Sequence, residues 1–245
     1  MNYYAIRIDR NSINVIYYTL AVYVLMSVSE IVVRSHDGLT TSLAPYLPIL
    51  LGTVWAAPCL AREIESETLA WAWTKGVKRR AWLLHRVASI FIGAFLSGII
   101  LSILIMVTQI YWWPAMTIDR ITPALLSGSL PVLVAYCLFA VSVGVFFAVV
   151  TKKVITSIGL TFLTVAAISY ALPALAVHWA PTKQTSVPLQ TGHFIKQQLT
   201  NGITTTTYVS NSSFWPLSCS VALVVLLFGA VLMFETLRRV RRISL

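Results

Sequence analysis

Residues 62–86 read REIESETLAWAWTKGVKRRAWLLHR and form a long charged stretch in an otherwise very apolar chain. The stretch holds three of the eight acidic residues and six of the eighteen basic residues. Long hydrophobic runs lie on both sides of it. A charged segment between two apolar runs of this length predicts a loop between two membrane-spanning helices.

The composition of the whole chain agrees with a membrane protein. Of its 245 residues, 58% are hydrophobic and 11% are charged, whereas about 25% of the residues of a soluble domain are charged. The net charge of +10 does not indicate nucleic-acid binding, because the basic residues lie beside apolar runs, as they do in cytoplasmic loops. The N-terminal apolar run is too long for the core of a cleavable signal peptide.

The apolar runs predict an all-α integral membrane protein with one transmembrane domain over residues 1–245. A helix needs roughly 20 apolar residues to cross the hydrocarbon core of a bilayer. Six segments meet this requirement, at 13–33, 44–61, 87–110, 124–150, 154–177 and 215–237. Prolines predict that the second, fourth and fifth of these spans are kinked or broken.

The basic residues predict the orientation of the spans. Fourteen of the eighteen lie on one side of the membrane if the N-terminus is cytoplasmic, in the segments 1–12, 62–86, 152–153 and 238–242. The positive-inside rule then places both termini in the cytoplasm. Residues 1–12 become a cytoplasmic interfacial segment. Residues 178–214 become a long extracellular loop, either flexible or folded back toward the membrane as short helices.

Small residues recur at four-residue spacing within two of the predicted spans. This spacing allows membrane helices to pack closely, and it predicts packing between helices of the same chain. The pairs are Gly93–Ser97, Ala94–Gly98, Ala140–Gly144 and Gly144–Ala148.

The sequence contains no recognisable motor or catalytic motif. A GxxxxGK[ST] loop for ATP is absent, as are GxGxxG, HExxH and GxSxG. The four histidines and three cysteines have no metal-ligand spacing. The spans also lack ionisable residues at mid-membrane, which argues against a transporter driven by its own proton or ion pathway. The chain is therefore not expected to be an enzyme by itself or to bind a cofactor or metal.

The charged stretch itself has the composition of a helix followed by a basic segment. Residues 62–74 contain no Pro or Gly and are rich in Ala, Leu, Glu and Trp, which predicts a helix that ends near Gly76. Ile64, Thr68, Trp71 and Lys75 then share one face. The basic residues expected at the membrane face are Lys78, Arg79, Arg80 and Arg86. A loop that only sets topology would explain the basic residues, but not the three glutamates and two tryptophans of residues 62–74.

The same stretch resembles the segment after the second span in permease subunits of type-2 ABC exporters, in the form seen in actinobacteria. The residues that carry the resemblance are PCLAREIE (58–65), Thr68, AWT (72–74), Val77, RR (79–80) and WL (82–83). The chain departs from many relatives at Glu67-Thr68, where they have a glycine before the threonine. The six-span layout and the long loop before the sixth span are also similar to that family.

The resemblance implies that residues 62–86 contain a cytoplasmic coupling helix between the second and third spans, which docks on a separate ATPase. The residues implied at or near that docking surface are Glu63, Glu65, Glu67, Thr68, Trp71 and Lys75. Two ATPase subunits, which bind ATP and Mg, would assemble with two permeases, identical or related, in a bacterial plasma membrane. The translocation pathway would lie within the permease dimer.

Two other functions remain open from the residues alone. The chain could be a membrane anchor or accessory protein without a transport role. It could also be a membrane-embedded enzyme that uses residues of its outer loops, which would be Glu30, His36, Asp37, His178 and His193. The substrate cannot be read from the sequence.

Overall fold

A computed structural model of the chain describes residues 46–65, 79–112, 123–179, 182–185, 193–200, 203–209 and 213–243. The predicted first span, at 13–33, and the interfacial segment 1–12 lie outside these residues. The described helices are α1 (Tyr46–Glu65), α2 (Arg79–Trp112), α3 (Pro123–Gly128), α4 (Leu130–Thr151), α5 (Val154–Trp179) and α6 (Phe214–Ile243).

Within the described residues, five helices are long and apolar enough to cross a membrane. They are α1, α2, α4, α5 and α6, and they coincide with the second to sixth predicted spans. Each has the intramolecular backbone hydrogen bonds that a segment in hydrocarbon requires. The helical membrane part of the prediction is therefore confirmed for these five segments.

Helix α4 lies at the centre of the bundle and contacts α1, α2, α5 and α6. It is mostly buried, because glycines let its neighbours come close. A Cβ atom on Gly144 would lie 3.0 Å from the Gly52 carbonyl oxygen of α1, and one on Gly98 of α2 would lie 3.1 Å from the Val134 Cα atom. Gly229 of α6 packs against the same helix at Ser142. The small-residue pairs Ala94–Gly98 and Ala140–Gly144 thus serve packing within the chain.

Helix α1 contains a π-helical turn at Leu51–Ala56, between Pro48 and Pro58. There the Ala57 backbone N–H donates to the Gly52 carbonyl oxygen, five residues earlier. Pro58 has no backbone N–H to donate to the preceding turn, so the regular α-helical ladder is interrupted. The second span, predicted to be kinked or broken, is helical throughout Tyr46–Glu65 and contains this π-helical turn.

The predicted fourth span is broken at Ser129. This residue has extended backbone angles, φ −65° and ψ 145°, and separates the short α3 from α4. Its backbone N–H and hydroxyl both donate to the Leu126 carbonyl oxygen, at 3.2 and 2.7 Å. Pro131 stands in the first turn of α4, where a missing N–H costs little. By contrast, α5 continues through Pro173 without a break.

The long loop before α6 contains β-structure in the residues that the structure describes. Strands β1 (Thr182–Thr185), β2 (His193–Thr200) and β3 (Ile203–Val209) form an antiparallel sheet in the order β1-β3-β2. The prediction of short helices is wrong at these positions, and the all-α description holds only for the membrane part. The threonines at 204–207 are β-branched, which favours strands over helices.

Candidate functional site

Several charged segments among the described residues meet at one end of the bundle. This end contains the C-terminus of α1, the first turns of α2, the α4–α5 turn and the C-terminal turns of α6. We call it the basic end. The charge pattern predicted that residues 62–86, 152–153 and 238–242 share one side of the membrane, and the contacts of their described parts agree. Residues 1–12, predicted on the same side, lie outside the described residues.

Glu63 of α1 is bonded to Arg86 of α2. The Arg86 Nη2 atom donates to Glu63 Oε1 at 2.7 Å, and the two side chains are only 26% and 20% exposed. The same Nη2 atom lies 3.5 Å from the Cys59 sulfur. A charge-assisted hydrogen bond in a partly buried setting is stronger than a surface pair. The pair therefore ties together the two helices that flank residues 66–78.

Glu65, the last residue of α1, is bonded to the start of α5. Its Oε2 atom accepts a hydrogen bond of 2.9 Å from the Val154 backbone N–H. The first N–H groups of a helix have no partner inside the helix, and a carboxylate there also favours the positive end of the helix dipole. Glu65 thus caps α5 from a different helix, 89 residues earlier in the chain.

The turn between α4 and α5 consists of Lys152 and Lys153, which are both exposed. Lys152 has φ 55°, and among the described non-glycine residues it is the one with positive φ. The Thr151 hydroxyl donates to the Phe147 carbonyl oxygen at 2.8 Å and accepts from the Lys153 N–H at 3.4 Å. These bonds hold the two lysines on a tight connection rather than on a loose loop.

The C-terminal turns of α6 complete the basic end. Glu235 pairs with Arg239 at 3.2 Å and with Arg238 at 3.9 Å on its own helix. The Arg239 guanidinium lies over the Phe146 ring of α4, 5.5 Å from the ring centre. This cation–π contact holds the end of α6 against the central helix.

The structure places the predicted coupling residues in three groups. Glu63, Glu65 and Arg86 all lie at the basic end, where Arg86 pairs with Glu63 and Glu65 bonds to the Val154 N–H. Arg79 and Arg80 begin α2, so the predicted loop is shorter at its C-terminal side than 62–86. The remaining predicted residues lie outside the described part of the chain: Glu67, Thr68, Trp71, Lys75 and Lys78.

Two contacts of this site were not predicted from the sequence. Glu65 bonds to a backbone N–H group, and a pattern of side chains in the sequence cannot indicate such a partner. The Glu63–Arg86 pair spans 23 residues, so the spacing rules for side chains on a single helix could not reveal it. The sequence placed the glutamates near a docking surface. It did not reveal that Glu63 bonds to α2 and Glu65 to α5.

The described residues offer no cluster of three or more His, Cys, Asp or Glu side chains that could hold a metal ion. Of the residues considered for an outer enzyme site, His178 lies near the end of α5 and His193 begins β2. Glu30, His36 and Asp37 lie outside the described residues.

Five long apolar helices packed into a bundle define an integral membrane protein of the multi-pass class. A family model described as "ABC-2 membrane transporter related" matches residues 22–177, which is more than half of the chain. The chain therefore belongs to this family and is a permease subunit of an ABC transporter. No curated protein and no solved structure matches it.

Proposed function

We propose that the chain is the permease of an ATP-driven exporter and that residues 62–86 couple it to separate ATPase subunits. Both termini lie in the cytoplasm, and the protein resides in a bacterial plasma membrane. Two permeases, identical or related, form the pathway, and two ATPases bind ATP and Mg. Family membership and the positive charge of the basic end support this arrangement.

The Glu63–Arg86 bond is the observation that carries the proposal. It joins α1 and α2 on either side of residues 66–78, so a force on that segment reaches both helices together. A partner that binds ATP can shift a second subunit between two states only through contacts that differ between those states. The segment, with Glu67, Thr68, Trp71 and Lys75, is the surface on which the partner makes such contacts.

Co-purification tests the proposal directly. The full chain, expressed with the ABC ATPase encoded beside it, should form a stable complex with that ATPase in detergent or nanodiscs. Glu67→Arg should lower the transport obtained per ATP hydrolysed. The matched control is Lys196→Glu in β2, an opposite charge reversal at the other end of the bundle, which should leave coupling intact. Failure to form any complex would contradict the proposal and favour an anchor or accessory role.

A further inference from the structure

We propose that Glu65 is a positioning residue that links the coupling segment to α5 through its bond to the Val154 N–H. This inference rests on the proposed function, because it names the route by which movement of the segment reaches a helix on the far side of α1. When the segment moves, α2 moves with it through the Glu63–Arg86 bond, and α5 moves with it through the Glu65–Val154 bond. The two connections differ in strength and in the helix that they move.

The positions of the two glutamates on α1 separate their targets. Successive residues of an α-helix are turned by about 100°, so residues two apart point to nearly opposite sides. Glu63 accordingly meets α2, whereas Glu65 meets α5. Neither carboxylate can substitute for the other, although only one residue lies between them.

The Glu65 bond occurs where α5 begins. The Ser157 N–H already donates to the Lys153 carbonyl oxygen, which closes the first turn and leaves the Val154 N–H without an intrahelical acceptor. The Glu65 carboxylate fills that need and lies beside the exposed basic turn at Lys152–Lys153. Replacement of a capping side chain by alanine removes a bond for which the helix has no internal alternative.

The same bond is easier to break than the Glu63–Arg86 pair. Glu65 is exposed to solvent, so water can compete for both the carboxylate and the N–H group. Helix α5 is also the least buried of the five described spanning helices, so less of its length is fixed by packing against the rest of the described chain.

Hydrogen exchange on the full chain in nanodiscs tests whether the cap holds α5. In Glu65→Ala, the Val154 amide and the first turn of α5 should exchange on the order of fivefold faster than in the wild type. Glu65→Gln, which keeps an oxygen acceptor, should restore part of the protection. The control is Glu235→Ala, which removes a glutamate that pairs with Arg238 and Arg239 of its own helix. Unchanged exchange at Val154 in Glu65→Ala would overturn the proposed cap.

Distance measurements on the complex with the ATPase test whether the cap transmits movement. Labels on non-natural amino acids at Ile155 of α5 and Leu84 of α2, both exposed, would report nucleotide-driven displacement while leaving Cys59 in place. In Glu65→Ala the displacement at Leu84 should persist, and the displacement at Ile155 should fall by at least about half. Glu65→Gln should recover part of it.

The possible results separate this inference from the proposed function. Equal displacement of Ile155 in the wild type and in Glu65→Ala would overturn the inference alone. A wild-type complex in which Leu84 moves and Ile155 does not would do the same. A wild type in which neither label responds to nucleotide would instead contradict the proposed coupling segment itself.

Discussion

The carboxylate of Glu63 and the guanidinium of Arg86 lie 2.7 Å apart, although 23 residues separate them in the chain. The bond closes the base of a segment that begins at the end of α1 and ends at the start of α2. Because both side chains are largely buried, the pair fixes the relative positions of the two helices.

Removal of either partner should therefore destabilise the protein. We expect Glu63→Ala and Arg86→Ala each to lower the free energy of unfolding by about 1.5–3 kcal/mol, because the remaining charge stays partly buried. Thermal unfolding in detergent would measure the effect. Glu235→Ala, whose ion pairs are more exposed, should cost only about 0.3–0.5 kcal/mol. A double-mutant cycle without coupling between Glu63 and Arg86 would contradict the assignment.

The contact between α1 and α4 predicts intolerance of small substitutions. Gly144→Ala would place a Cβ atom 3.0 Å from two backbone atoms, the Ala57 nitrogen and the Gly52 oxygen, so the helices must separate. We expect a loss of about 1–3 kcal/mol in unfolding free energy. Gly159→Ala on α5 is the matched control, because its Cβ atom would meet nothing within 4 Å. That variant should be as stable as the wild type or more stable, since alanine favours helix over glycine.

The positive φ of Lys152 predicts that glycine is better than lysine at this position. Lys152→Gly should raise the unfolding free energy by about 0.5–1 kcal/mol, because glycine adopts the left-handed region without a steric penalty. Lys153→Gly, at a neighbour with an ordinary φ, should instead lower it slightly. Chemical or thermal unfolding of both variants would show the contrast, and a destabilised Lys152→Gly would contradict the turn.

The strand order of the three-stranded sheet predicts that the effect of a proline substitution depends on its position. Thr207 lies in the central strand and pairs with Gln184 of β1 and Lys196 of β2. Thr207→Pro should remove hydrogen-exchange protection from both flanking strands, because proline disrupts the central strand with which both of them pair. Thr182→Pro, at the first residue of an edge strand, should leave most of the protection in place. Equal effects of the two prolines would contradict the strand order β1-β3-β2.

The spanning helices could be predicted because their apolar runs exceed the length needed to cross a bilayer. The helix-to-helix contacts at Gly98 and Gly144 were also marked by small residues at four-residue spacing. The break at Ser129 was foreseeable from Pro131, although proline alone did not distinguish it from the unbroken helix at Pro173.

The remaining features depend on contacts between distant parts of the chain. Glu65 bonds a backbone atom of α5, and local sequence contains no signal for such a partner. The sequence analysis expected residues 178–214 to be either flexible or folded back toward the membrane as short helices. The strands β1 and β2 each form backbone pairs with β3. The sequence of a single strand does not show which other strand it pairs with.

The two-residue connection between α4 and α5 has a mechanical consequence. With only Lys152 and Lys153 between them, the two helices cannot slide past each other along the membrane normal. Any displacement of α5 at this end must therefore either carry the end of α4 with it or become a swing of α5 about the turn. A small swing there becomes a larger lateral displacement at Trp179, where α5 ends and the chain continues toward the three-stranded sheet.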